Sequence, residues 1–278
     1  MPNKIKLILI FLIIFAIALA GYLYYDYHQQ KSEVVFFDVG QGDSSLINLP
    51  GNNEILIDGG PDKTVLPKLG RYLPFYDRTL ELVILTHPHA DHVTGLVSLF
   101  DRYDVKKVML TGVDYDAPVY QVFLDKIKEK NTEIIYPQDF DQLKLSSNIW
   151  LDIIYPQENL ASQTFDDLND SSIVAKLDTP DRDFIFTGDI SLEIENQILA
   201  SSTNTQLDVD VLKVAHHGSI TSSGEKFIQA ISPSSAVISV GENSFGHPSP
   251  RVIKRLERVG AEVLRTDQEG DIIFSIKK

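Results

Sequence analysis

Four potential metal ligands lie within six residues, directly after a short apolar run. The run, residues 82–85, predicts a β-strand, and residues 93–102 predict a helix behind the motif. The ligands are His87, His89, Asp91 and His92. Imidazole nitrogens and carboxylate oxygens suit zinc, manganese or iron. Four ligands this close together in the sequence cannot all coordinate one ion with good geometry. We therefore expect two ions, His87 and His89 on one and Asp91 and His92 on the other; a histidine-rich surface loop is the alternative.

Three further stretches carry chemically useful side chains at the ends of predicted strands. The apolar run 184–186 ends in a glycine turn that is followed by Asp189. Taken alone, Asp189 is equally suited to be the N-cap of the next helix. The adjacent histidines His216 and His217 follow one later strand, and His247 follows another. Two histidine-bearing loops therefore compete for the metal position that remains.

The pattern of strands and helices predicts an α/β fold. Apolar runs at 34–37, 45–47 and 55–57 follow one another closely, as in a β-meander. From residue 108 onward, short β-rich runs alternate with helical spacing, and helices are expected near 117–129, 190–200, 222–231 and 249–259. This order predicts two sheets that are covered by helices on their outer faces.

An uncharged stretch at the N-terminus predicts a membrane segment. It runs from Leu7 to Tyr25, which is long enough to span a bilayer. Lys4 and Lys6 precede it, which places its start in the cytoplasm and the rest of the chain outside. A cleaved signal peptide is the alternative, because residues 18–20 resemble a cleavage site. We expect a single-pass cell-membrane protein with an extracytoplasmic domain, or else a secreted one. We expect residues 1–33 to form the anchor or signal with its linker, and residues 34–278 to form the folded domain that carries the metal ligands.

Composition excludes some classes of protein. The chain has no cysteine, so a disulfide framework, a thiolate metal site and a lipid-anchoring cysteine are ruled out. Its formal net charge is −14, which does not suit a non-specific nucleic-acid binder with a basic face. Bound divalent cations would reverse the sign locally, so a phosphodiester substrate remains compatible with this charge.

The motif at residues 87–92 resembles the HxHxDH signature of the metallo-β-lactamase superfamily, whose fold is an αββα sandwich. A more specific resemblance covers about residues 34–276 and extends to the metallo-hydrolase domain of ComEC-type competence proteins. The strings that carry it are FFDVGQGDSSLI, THPHADHVTGL, NDSSIVAKL, FTGDI, LKVAHHGS and FGHPSPRVIKRLERVGAEVLRTDQEGDI. ComEC-type proteins also carry a multi-span channel, whereas this sequence has one hydrophobic segment, so we expect no channel role.

The resemblance implies roles for the remaining residues. Asp189 would bridge both metals, and Asp91 would also orient the nucleophile. His247 would supply the last metal ligand. His216 would be the catalytic acid, and His217 would orient a neighbour or be structural. Asp58 would bond a metal-ligand loop.

One departure from the family pattern changes the expected ligand set. No histidine lies between His92 and His216, so the histidine that usually precedes the Gly-Asp motif is missing. Asn169 or Asp170 would offer an oxygen in its place. A site with more oxygen ligands makes manganese plausible beside zinc.

These features together predict a hydrolase that uses water activated by two divalent metals, Zn or Mn. The best-fitting function is an extracytoplasmic phosphodiesterase or nuclease acting on DNA or nucleotides. One alternative is a cell-envelope phosphodiesterase, for example on phosphorylcholine of teichoic acid. Another is a surface binding protein that uses its metals structurally, although a full ligand set argues against it.

Overall fold

The computed structural model describes residues 3–28, 31–51, 53–139, 142–201 and 207–277. It begins with helix α1 (Asn3–His28). The segment Lys4–Tyr22 of this helix is long and apolar enough to cross a membrane, and it is not buried against the rest of the chain. Residues 29 and 30, part of the predicted linker, lie outside the described residues.

Two seven-stranded sheets form the centre of the domain. The first has the order β16 (Ile272–Ser275), β1 (Glu33–Phe36), β2 (Ser45–Leu49), β3 (Asn53–Ile57), β5 (Leu82–Ile84), β7 (Lys107–Met109) and β8 (Glu133–Ile135). The second has the order β15 (Glu262–Arg265), β14 (Ser235–Ile238), β13 (Val211–Lys213), β12 (Phe184–Phe186), β11 (Val174–Asp178), β10 (Trp150–Tyr155) and β9 (Gln142–Lys144). Strands β4 (Thr79–Leu80) and β6 (Asp104–Val105) pair separately.

Alternation along the strands builds a layered core. Val34 and Phe36 of β1 face the second sheet, whereas Val35 and Phe37 face the helices outside the first sheet. A third apolar cluster lies between the second sheet and its own helices. The α-helices of the domain are α2 (Val65–Tyr72), α3 (Ala90–Leu99), α4 (Pro118–Lys130), α5 (Leu192–Ser201), α6 (Glu225–Ile231), α7 (Pro250–Arg258) and α8 (Thr266–Glu269). The predicted α/β class and αββα layering are therefore confirmed.

Helix α3 begins earlier than the sequence predicts, at Ala90 instead of residue 93. His89 takes the N-cap position, so Asp91 and His92 lie on the first helical turn. The helix packs directly on the loop after β3, because a Cβ at Gly95 would lie 1.9 Å from the Gly59 carbonyl oxygen. This close packing fixes the first turn against the strand ends.

A carboxyl pair at the far end of β3 makes stability depend on pH. Burial, and then the hydrogen bond and charge of Glu81, raise the pKa of Glu54 from 4.5 to about 9. The folded protein holds this proton, while the unfolded chain releases it near its ordinary pKa. The unfolded state therefore binds fewer protons between these values, and the free energy of unfolding falls as the pH rises through that window.

We expect Glu54→Gln to remove this part of the pH dependence, since the amide cannot ionise. Thermal denaturation should give a melting temperature a few degrees above wild type at pH 8.5 and a much smaller difference at pH 5. Glu257→Gln, at an exposed position of α7, is the control. A Glu54→Gln variant whose melting temperature follows wild type at both pH values would contradict the assignment.

Candidate metal centre

The candidate ligands meet where the two sheets come together. The loops after β3 and β5 in the first sheet and after β12 and β13 in the second all end at this edge. A backbone hydrogen bond from Ile173 to the carbonyl of Thr86 joins the two halves, at 3.0 Å. Residues more than a hundred positions apart are thus brought within ligand distance.

Four side chains form one compact group of donor atoms: Asp91, His92, Asp189 and His217. From Asp91 Oδ2, the distances to His92 Nε2 and His217 Nε2 are 3.9 and 3.2 Å. From Asp189 Oδ2, the distances to the same two nitrogens are 3.4 and 3.5 Å. A tetrahedral ion with bonds of about 2.1 Å separates its ligand atoms by about 3.4 Å. The group therefore fits one divalent cation, and we call it the four-donor group.

Two observations support a cation at this position. His92 Nε2 is buried without a hydrogen-bond partner, and so is Asp189 Oδ1. Buried polar atoms are almost always satisfied, so unpaired atoms on two members of the four-donor group indicate a missing ligand.

A second pair of imidazoles lies beside this group. His87 Nε2 and His89 Nδ1 are 3.0 Å apart, and the rings of His87 and His92 have centroids 4.1 Å apart. Burial, and then the charge of His92, hold the pKa of His87 well below its usual range, so His87 is neutral as a metal ligand must be. The sequence-predicted division into two metal positions is thus compatible with the geometry.

Asn169 lies where the missing histidine was expected. Its Oδ1 is buried and has no hydrogen-bond partner, which makes it available as an oxygen ligand. The alternative, Asp170, turns away, because its Oδ1 accepts a hydrogen bond from the Ser191 amide at 3.3 Å. The geometry favours Asn169 of the two.

Asp58 holds the ligand loop, as the sequence analysis expected. Its Oδ2 bonds His92 Nδ1 at 2.8 Å and accepts from the Thr86 hydroxyl at 2.7 Å, while Oδ1 accepts from the Thr86 amide at 2.8 Å. A carboxylate on the distal nitrogen fixes the tautomer and orientation of a ligating imidazole. The Nε2 atom of His92 is thereby directed toward the four-donor group.

A buried lysine, which was not predicted from the sequence, compensates the negative charge of the neighbouring carboxylates. The Lys213 ammonium forms an ion pair with Asp43, donates to the Gly188 carbonyl at 3.0 Å and lies 3.6 Å from Asp189 Oδ1. Burial by itself would lower the pKa of Lys213. The charges of these carboxylates outweigh that effect and raise the pKa. The sequence signal was a lysine inside an otherwise apolar strand.

The two adjacent histidines point in different directions. Both adopt a left-handed backbone conformation, with φ of 50° at His216 and 52° at His217. His217 turns inward, where Nδ1 donates to the Ser239 carbonyl at 2.9 Å and Nε2 joins the four-donor group. His216 is less buried, and its Nδ1 lies 3.5 Å from Asn169 Nδ2. Left-handed non-glycine residues cost free energy and persist where the surroundings require them, as at functional sites.

His247 lies outside the four-donor group. Its ring centroid is 5.4 Å from that of His216 and 6.5 Å from that of His217, and its Nδ1 is buried without a partner. From the sequence, we expected His247 to hold the last metal position and His217 to orient a neighbour or be structural. The geometry favours the opposite assignment, with His217 as the ligand.

The surrounding charges show how the protein without metal satisfies its carboxylates. Against the effect of burial, His217 and His92 lower the pKa of Asp189, and Asp189 raises the pKa of His217 to about 10. The carboxylates thus hold protons on the histidines where a cation would otherwise lie. Metal binding would have to displace these protons.

An open cavity of about 530 Å³ adjoins His89. Two aromatic side chains, Tyr115 and Phe165, and four carboxylates line it: Asp114, Asp116, Asp166 and Asp167. The cavity is large enough for a small substrate group next to the metal centre.

The family model described as "Metallo-beta-lactamase superfamily" matches residues 37–242, and the chain belongs to this superfamily of metal-dependent hydrolases. The fold agrees with solved structures. YhfI from Bacillus subtilis superposes with a TM-score of 0.55 at 15% identity, covering 88% of this chain and 100% of YhfI. Tm1679, a metal-dependent hydrolase of the beta-lactamase superfamily, gives a TM-score of 0.55 at 15% identity, covering 87% of this chain and 99% of that protein.

Within the superfamily, the chain is similar to competence proteins, as its sequence predicts. It is 32% identical to ComE operon protein 3 of Bacillus subtilis, over 89% of this chain and 33% of that protein. It is 27% identical to competence protein ComA of Neisseria gonorrhoeae, over 89% of this chain and 33% of that protein. The chain thus spans about a third of the length of these relatives.

The two histidine positions can be separated by metal content alone. We expect His217→Ala to lose one divalent ion, because the four-donor group loses one of its atoms. His247→Ala should retain the wild-type metal content. Elemental analysis after dialysis of both variants and wild type, loaded in parallel with Zn²⁺ or Mn²⁺, measures this.

Circular dichroism controls for folding of both variants. The outcome that would restore the assignment made from the sequence is loss of metal from folded His247→Ala together with full metal content in folded His217→Ala.

Proposed function

We propose that the chain is an extracytoplasmic metal-dependent phosphodiesterase that acts on DNA or nucleotides. Two neighbouring sets of ligands carry the proposal. The four-donor group offers ligands for one cation, and the adjacent pair of His87 and His89 offers ligands for a second. Similarity to competence proteins supports a nucleic-acid substrate.

The residues provide for two divalent ions, with His87, His89 and Asn169 at one position. The other position would take Asp91, His92 and His217, and both positions would share Asp189. Three oxygen donors among these ligands are compatible with Mn²⁺ as well as Zn²⁺. When bound, two such ions lower the pKa of water and stabilise charge on a phosphoryl group.

His216 is the candidate proton donor. Its side chain is half-buried beside Asn169 rather than enclosed in the four-donor group. The Asn169 side chain contacts the ring at Nδ1, so Nε2 is the nitrogen that would face a leaving group, and the imidazolium form of His216 would donate the proton. Asp91 is about one-third exposed at its side chain and would orient the attacking water.

The location follows from helix α1. The span Lys4–Tyr22 anchors the chain, and Lys4 and Lys6 at its start favour a cytoplasmic N-terminus and an outer domain. The alternative remains a cleaved signal and a secreted enzyme, because an apolar N-terminal helix fits both.

The cavity beside His89 favours a second candidate, a cell-envelope phosphodiesterase whose substrate carries a cationic headgroup such as phosphorylcholine. Its carboxylates attract a cation and repel a polyanion, and aromatic side chains such as Tyr115 and Phe165 suit a quaternary ammonium. A nucleic acid would have to enter this cavity by a base rather than by its phosphates.

Substrate comparison tests the proposal. Bis(p-nitrophenyl) phosphate, the p-nitrophenyl ester of thymidine monophosphate, p-nitrophenyl phosphorylcholine and single-stranded DNA are assayed with Zn²⁺ and with Mn²⁺. Hydrolysis of the thymidine ester and DNA supports the first candidate, and preference for the choline ester supports the second. Metal-loaded protein that hydrolyses none of them would leave the structural-metal binding protein as the remaining function.

The double substitution Asp114→Asn with Asp116→Asn should separate the candidates further. Removing two negative charges from the cavity should lower KM for the thymidine ester and raise KM for the choline ester, each by about two- to five-fold. Steady-state kinetics at low salt measures the effect. Unchanged KM for both esters would show that neither substrate group enters this cavity.

A general acid and a metal ligand fail differently when they are removed. His216→Ala should keep its metals and lose about 10²–10⁴-fold in kcat with an alkyl leaving group. With p-nitrophenolate the loss should be much smaller, because this leaving group departs without a proton. An equal loss on both substrates, or a lower metal content, would exclude His216 as the proton donor.

A further inference from the structure

The two ends of the first sheet carry different surfaces. The metal centre occupies the end to which β3 and β5 run. At the opposite end, Glu33 at the start of β1 is level with Asn48, and Asn48 is level with Glu54. The chain enters the domain from α1 at this second end, which we call the β1 end.

The loop of residues 73–78 also lies at the β1 end. Asn48 Nδ2 donates to the Tyr72 carbonyl at 3.5 Å, just before the loop. Just after it, the Glu81 amide donates to the Glu54 carbonyl at 3.0 Å. The loop is therefore fixed at both of its ends to the row of residues that begins at Glu33.

Phe75 projects from this loop into solvent. It is 78% exposed, more than any other large apolar side chain described outside α1. Its ring meets that of Tyr76 edge to face, with centroids 5.3 Å apart. The turn is closed by a bond from the Asp77 amide to the Pro74 carbonyl at 2.9 Å. An exposed phenylalanine on a closed turn loses the free energy that burial would provide unless something covers it.

A membrane-spanning α1 would bring a bilayer near this loop. Helix α1 ends at His28 and β1 begins at Glu33. Five residue steps extend at most about 18 Å. The six residues from Tyr22 to His28 add about 9 Å along the helix axis. If α1 spans the membrane, the start of β1 therefore lies within about 27 Å of the bilayer surface.

Charge favours the same orientation. Around the metal centre the cavity carboxylates of Asp114, Asp116, Asp166 and Asp167 would be repelled by anionic headgroups. Near the loop, by contrast, Lys106 and Lys107 form ion pairs with Asp104 and Glu133, so these four charges cancel. Contact between the metal-centre end and an anionic lipid surface is therefore disfavoured.

We propose that the loop of residues 73–78 is a second membrane contact, in which Phe75 enters the interfacial region of the bilayer beside α1. The anchor and the loop then hold the domain at two points, and the metal centre faces away from the membrane. Aromatic side chains at the headgroup level are the usual interfacial anchors. This proposal depends on retention of α1 as an anchor and not on the substrate of the enzyme.

The absence of cysteine from the chain permits a direct test. Phe75→Cys and Phe245→Cys each create a single site for a nitroxide label. The two positions form a matched pair, because Phe245 is 72% exposed and lies at the opposite end of the domain, with its ring 5.8 Å from that of His247. The labelled full-length chains are reconstituted into phosphatidylcholine vesicles, with and without phosphatidylglycerol.

Electron paramagnetic resonance then compares collisions of each label with oxygen, which concentrates in lipid, and with a water-soluble nickel complex. We expect the label at position 75 to favour oxygen and the label at position 245 to favour nickel. Equal, water-like accessibility at both positions would overturn the proposal. Failure of the full-length chain to float with the vesicles would also overturn it, since no anchor would then bring the loop to the surface.

Discussion

The rest of this structure depends on one constraint: several carboxylates are buried close together and their negative charges must be compensated. Asp43, Asp58 and Asp189 are buried at one edge of the sandwich, with Asp91 beside them. Buried carboxylates are costly unless cations and hydrogen bonds compensate them. Lys213 supplies one permanent cation, and protons on the histidines supply others while metals are absent. A divalent ion among the four donors would replace those protons with a charge of fixed position.

The two-sheet architecture brings these groups together and fixes their positions. Each sheet contributes ligands from the ends of its strands, and the apolar layer between the sheets keeps the two edges aligned. Asp58 fixes Thr86 and His92 in the first sheet, while the Ser172 hydroxyl accepts from the Asp189 amide in the second. Hydrogen bonds of this kind set imidazole and carboxylate directions before any ion binds. The ligand geometry is therefore a property of the scaffold.

The orientation of the domain relative to the membrane determines the side from which substrates reach the metal centre. With α1 in a bilayer and Phe75 at its surface, the substrate cavity beside His89 would open away from the membrane. Substrates would then come from the surrounding medium or from envelope polymers rather than from lipid headgroups beneath the domain. Both candidate functions are compatible with that access. They differ in the group that enters the acidic, aromatic-lined cavity, a base or a cationic headgroup.

The sequence by itself determined the fold class and pointed to most of the candidate ligands. His87, His89, Asp91 and His92 are recognisable because their spacing places them at one strand end, whatever the distant chain does. Only the tertiary structure decided which later residues join them. His216 and His217 are identical in sequence terms, and left-handed backbone angles at both turn one ring inward and the other outward. The pairing of Lys213 with Asp43 was equally invisible, because it joins the two sheets across the site and no local pattern encodes an inter-sheet contact.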